Sequence, residues 1–137
     1  MNTHTLTRFL KINCLLFAII LLSACAKKPN GTYHGEIPID KAYGIGSIPC
    51  NFILSPGGHA AQEDLINNKT LEGDWEASYP DDLLIQIRSD SDNKKYYFHT
   101  KDDYIALYKL VILKKGQFQK GGIPRKNFPQ PIKFIKK

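Results

Sequence analysis

The sequence predicts a mainly β domain: a small antiparallel meander closing into a barrel or sandwich, followed by a basic irregular C-terminal arm. Three observations predict it. Between residues 32 and 113, apolar and polar side chains alternate in short runs, which is the period of a half-buried strand and not of a helix. Pro, Gly, Asn and Asp clusters separate these runs at short intervals. After Lys115 the alternation dissolves into glycines and prolines among lysines. Six or seven such strands must bury one face against themselves, and closing the sheet is the economical way to do so.

The elements follow in order. Residues 32–39 alternate, with Tyr33, Gly35, Ile37 and Ile39 on one face and His34, Glu36 and Asp40 on the other. The glycine-rich stretch 43–47 predicts a bend. Residues 48–54 resume a strand whose Ile48, Cys50, Phe52 and Leu54 share a face, and Ser55-Pro56-Gly57-Gly58 is a strong turn signal. Residues 60–66 fit either a helical turn or a frayed strand. Residues 70–77 are the clearest strand: Leu71, Gly73, Trp75 and Ala77 face one way and Thr70, Glu72, Asp74 and Glu76 the other. Trp75 is the expected central plug, whose truncation to alanine should cost about 3–5 kcal/mol. Tyr79-Pro80-Asp81-Asp82 turns the chain into residues 83–88, with Leu83, Ile85 and Ile87 inward. A polar loop at 90–93 leads to strand 95–100, the turn Lys101-Asp102-Asp103, and strand 104–113, which is apolar on both faces.

The C-terminal segment is treated separately. Gly116, Gly121, Gly122, Pro124, Pro129 and Pro131 argue against regular structure, although Phe118, Ile123, Phe128, Ile132, Phe134 and Ile135 give it unusual apolar content for a solvated tail. The expectation is a segment packed back to about Phe118 and a mobile arm beyond. All 13 acidic residues lie between Glu36 and Asp103, so the net charge of +6 is concentrated at this end. Lys114, Lys115, Lys120, Arg125, Lys126, Lys133, Lys136 and Lys137 are therefore candidate contacts to an anionic envelope component or protein.

The N-terminus points to export. Arg8 and Lys11 supply a positive region, residues 12–22 are almost wholly apolar, and this run is too short to span a bilayer. The step Leu22-Ser23-Ala24-Cys25 resembles the lipobox of bacterial lipoproteins. That resemblance implies removal of residues 1–24, acylation of Cys25, a lipidated tether over residues 25–30, a barrel-like domain over 31–115 and the arm over 116–137. It also implies membrane attachment through N-terminal acyl groups, which is stable when more than one chain is present. Ala26, where an Asp would signal inner-membrane retention in Gram-negative hosts, favours the outer membrane facing the periplasm. Nucleic acid is not an expected partner in that compartment.

Cysteine usage agrees with a fold held by its core. Cys14 leaves with the leader and Cys25 is acylated, so Cys50 remains alone and reads as a small buried hydrophobe. No catalytic, metal or cofactor set emerges. His34, His59 and His99 have no metal-ligand spacing. Ser55 and His59 share a turn without a nucleophile elbow. The pairs Asp81-Asp82 and Asp102-Asp103 read as turn chemistry, and neither Gly44-Ile45-Gly46 nor Gly57-Gly58 opens a helix that could hold a phosphate.

Gly31-Thr32-Tyr33-His34-Gly35-Glu36-Ile37-Pro38, with Tyr43-Gly44-Ile45 and the later Gly73-Asp74-Trp75, resembles the barrel domain of NlpE-type lipoproteins. The resemblance implies a lipocalin-like barrel on a lipid anchor in the outer membrane, in a family implicated in surface sensing, envelope stress and copper response. That family carries a Cys-x-x-Cys pair after the proline, where this chain has Ile39 and Ala42, so thiolate chemistry does not carry over. Two functions follow as expectations. The first is a non-catalytic binding or sensing module that contacts another envelope component. The second is a lipocalin-like carrier of a small apolar ligand, for which the aromatics Tyr33, Phe52, Tyr96, Tyr97, Phe98 and Tyr104 are the relevant feature. The preferred role for these aromatics is to fill a barrel too small for a cavity.

Overall fold

The computed structural model describes residues 29–38, 46–115 and 125–137. The leader over 1–24, Cys25, the bend at 43–45, positions 39 and 42, and the stretch 116–124 with Lys120 lie outside the described residues. Eight strands run in chain order: β1 (Gly31–Pro38), β2 (Ser47–Ser55), β3 (His59–Asp64), β4 (Lys69–Ser78), β5 (Asp82–Arg88), β6 (Asp92–Thr100), β7 (Tyr104–Lys114) and β8 (Arg125–Lys136). Each pairs antiparallel with the next, and β8 pairs with β1, so the sheet is a closed up-and-down barrel. Closure removes both sheet edges. Among the described residues, the hydrogen-bonded ring and the buried core lie within residues 31–136, so a chain beginning at residue 29 retains every strand and core residue of this barrel.

The predicted alternation is borne out where it was clearest. Tyr33 and Ile37, Cys50, Phe52 and Leu54, and Leu83, Ile85 and Ile87 are all buried on the inward face. Residues 59–64 are a strand, not a helical turn. The Asp64 side chain shapes the turn that follows, accepting hydrogen bonds from Ile66 N at 2.9 Å, Asn67 N at 3.1 Å and Asn67 Nδ2 at 2.8 Å. At the other end of β3, Gly57 and Gly58 adopt φ of 93° and 88°, a region that side-chain-bearing residues rarely enter.

Two expectations are corrected. The basic segment expected as an irregular arm over 116–137 is a strand over 125–136, and the barrel does not stop at 115, because these residues close it. Its prolines misdirect the sequence reading for a local reason. Leu107 pairs with Ile132 and Lys109 with Asn127, so residues 128–131 bulge opposite Tyr108 alone. Pro129 and Pro131 sit in that bulge, where no ladder hydrogen bond is asked of them. Trp75 is also not the central plug. It faces inward but is only partly buried near one rim, where Nε1 donates to Ser55 O at 2.8 Å. The centre is filled by Phe52, Tyr96, Phe98 and Phe134, with Phe52 meeting the other three edge-on at 5.0–5.5 Å. An aromatic at a rim keeps part of its surface in water, so less of its area contributes to the core.

Two glycines permit this packing. A Cβ on Gly35 would lie 2.6 Å from the Phe134 ring, so β1 lacks a side chain where β8 inserts its phenylalanine. A Cβ on Gly73 would lie 1.7 Å from the Gln86 carbonyl oxygen, which places the β5 backbone against β4. In β7, Tyr108 is an extra residue opposite β6, since Tyr97 pairs with Lys109 and Phe98 with Leu107. That bulge switches the inward set from Ile105 and Leu107 to Leu110 and Ile112, which is why the strand reads as apolar on both faces.

Candidate functional site

The two ends of the barrel differ. One end carries the β2–β3, β4–β5 and β6–β7 turns and the start of β1, and the aromatic cluster fills the interior beneath it. The opposite end carries the β3–β4 and β5–β6 turns, and here the inward face encloses a cavity of about 310 Å³. Its wall is apolar, built from Ile37, Ile48, Cys50, Leu71, Leu110 and Ile112, with Tyr96 as its inner limit toward the packed half. β1 and β8 form ladder pairs only at Tyr33–Lys136 and His34–Ile135. Their seam is therefore stitched at the packed end and not along the cavity, where Ile37 and Lys126 stand on either side. The preferred reading of a barrel filled throughout by aromatics is thus corrected: they occupy half of it, because Tyr97 and Tyr104 face outward.

Polar groups enter this cavity at defined heights. Deep in it, Tyr96 Oη donates to Gln62 Oε1 at 3.3 Å, and burial pushes the Tyr96 phenol up. Burial also pushes the Cys50 thiol from 9.0 to about 12, against a hydrogen bond with Gln62 that works to lower it, while Asp64 adds to the rise. The thiolate, which is the nucleophilic form, is therefore disfavoured at Cys50 near neutral pH. Because the folded state favours the protonated thiol, its contribution to stability is full below pH 9 and is lost as pH rises toward about 12. Iodoacetamide at pH 8 should accordingly label Cys50 in denaturant and leave the native protein unlabelled over the same time. Rapid native labelling would contradict this environment.

Near the mouth, Asp64, Lys69, Lys94 and Lys126 line the same cavity. Strand parity puts them there. Lys69 pairs with Asp64, Lys94 with Ile87 and Ile112, and Lys126 with Leu110. Burial acts to raise the Asp64 carboxyl, but the Asn67 side chain and the Asn67 and Ile66 N–H groups, with Lys69, outweigh it and hold it below its ordinary value. The sequence reading named Lys126 for its charge but missed Lys69 and Lys94, whose signal is their in-phase position with the apolar residues of β4 and β6.

The other candidate contacts do not form one surface. Lys114, Lys115, Arg125 and Lys126 stand at the cavity end, while Lys133, Lys136 and Lys137 stand at the packed end. At about 3.4 Å per residue of β7, Lys126 opposite Leu110 and Lys133 opposite Ala106 are ~14 Å apart along the strand, and the groups at the two extremes are roughly 30 Å apart. The histidines are also dispersed. His34 Nδ1 lies 2.8 Å from Asn51 Oδ1, and His59 Nε2 lies 3.9 Å from Glu72. His99 Nδ1 lies 3.8 and 3.7 Å from the Asp81 and Asp82 carboxylates, under a stacked Tyr108 ring. The β5–β6 register, which sets Asp82 opposite His99, creates that last group from residues that read as separate turn and strand positions.

Comparison of the chain with protein-family models, with curated proteins and with solved structures gives no match.

Proposed function

We propose that this chain is a lipid-anchored, non-catalytic binding module of the bacterial envelope, held at the outer membrane through Cys25, whose barrel takes up a small ligand. The observation that carries the reading is the apolar cavity of about 310 Å³ in one half of an otherwise packed barrel. Eight-stranded barrels are just wide enough either to fill with side chains or to hold one small molecule, and this one does the first at one end only. The lipobox supports the anchor. β1 starts at the packed end, so a tether from Cys25 spans at most about 20 Å to that end and leaves the cavity facing away from the bilayer.

Capture of a macromolecular envelope partner by a basic arm is the weaker form of this reading, because the lysines it invoked are divided between the two ends of β8 and its neighbours.

The test uses the chain from residue 29 and the neutral apolar fluorophore N-phenyl-1-naphthylamine. Saturable enhancement at one probe per chain is expected, and Leu71→Trp, which places an indole in the cavity, should abolish it while the far-ultraviolet spectrum stays that of the barrel. No enhancement, or enhancement equal in the two proteins, would overturn the reading.

A further inference from the structure

We propose that the occupant of the cavity is a short-tailed amphipathic anion, its apolar body against Ile48, Leu71 and Leu110 and its oxyanion head between Lys69, Lys94 and Lys126. This identification of the ligand class depends on the cavity being a binding site, as proposed above. Three lysines occupy inward-facing positions on three different strands, at the level where the apolar wall ends. Lys69 and Lys126 are exposed and Lys94 is half-buried, so the three charges stand where the apolar wall meets water. Among the described residues, no carboxylate lies within ion-pair distance of Lys94 or Lys126. Ladder neighbours of Lys94 are isoleucines on both sides, and Lys126 Nζ stands 5.6 Å from the Phe128 ring.

Among the described residues, the one carboxylate that lines the cavity is Asp64, and both of its oxygens are already held by the β3–β4 turn. Among the described residues, the mouth therefore presents three cations to one committed anion. A carboxylate, phosphate or sulfate head supplies the missing charge through short, charge-assisted hydrogen bonds to the ammonium groups. Size restricts the tail. The cavity is at the lower end of the ~300–1,000 Å³ typical of small-molecule sites, which suits a single short chain or ring and excludes a two-chain lipid. Leu65 and Ile66, 46% and 52% exposed, form an apolar lip on the β3–β4 turn beside the lysines, so an entering amphiphile meets both of its own chemistries at the mouth.

Calorimetric titration of the chain from residue 29 with octanoate, octanol and octylammonium, which share a tail and differ in head charge, tests this. Octanoate should bind at least tenfold more tightly than octanol, with octylammonium weakest, and added salt should weaken octanoate alone. In Lys94→Met/Lys126→Met, which keeps the apolar stems, the octanoate preference should disappear while octanol affinity and the thermal midpoint stay unchanged. Equal binding of octanoate and octanol, or a preference that survives in the double variant, would overturn the anionic head site and leave the cavity reading standing. Failure of all three ligands and of the naphthylamine probe would remove the cavity reading, and this inference with it.

Discussion

Phe134→Ala should destabilise the protein by about 3–5 kcal/mol, as large-to-small changes at filled aromatic positions do. Phe134 has no exposed surface, and its ring meets Phe52 at 5.3 Å and Phe98 at 5.7 Å, both edge-on, so its removal leaves two aromatic neighbours facing a void. It also fills the space that Gly35 leaves open, and so holds β8 to β1 at the only part of the seam with ladder pairs. Urea titration of the chain from residue 29 would measure the loss as a lower midpoint. Ile135→Ala is the control: its neighbour in sequence is 59% exposed and should change stability by no more than about 0.5 kcal/mol. Equal midpoints for Phe134→Ala and the parent would mean that the C-terminal segment is outside the core.

Gly73→Ala should be at least as damaging, at about 3 kcal/mol or more, although it adds a single methyl group. The added Cβ would stand 1.7 Å from the Gln86 carbonyl oxygen and 3.0 Å from the Ile87 Cα. These are backbone atoms of the neighbouring strand and cannot rotate away, so β4 and β5 must separate where Gly73 pairs with Ile87. Gly46→Ala, where an added Cβ meets nothing within 4 Å, is the matched control and should be close to neutral. Thermal denaturation followed by circular dichroism separates the two, and a Gly73→Ala protein that melts with the parent would refute the close approach.

Strand content was legible wherever burial on one face imposed a period of two, as in Leu83, Ile85 and Ile87 or Cys50, Phe52 and Leu54. Legibility failed where a bulge interrupted that period. Tyr108 shifts the inward set of β7 by one residue, and residues 128–131 shift the pairing of β8 with β7 by three. Prolines that exclude a strand under a regular ladder are accommodated in such an irregularity, which local pattern cannot reveal. For the candidate site the same rule applies in reverse. Lys94 and Lys69 are in phase with buried neighbours, but a lysine near a strand end reads as solvent-facing until the barrel's closed and open halves are known.

Composition and alternation were sufficient to establish an antiparallel β domain with Cys50 in its core, since both follow from short-range periodicity and the chemistry of single side chains. Closure by β8, the displacement of Trp75 to a rim by four other aromatics, and the convergence of three lysines on one cavity depend on which strands become neighbours and in what register. Those relations join residues as far apart as Tyr33 and Lys136, and the energy that selects them resides in contacts between strands, beyond the reach of any window along one strand.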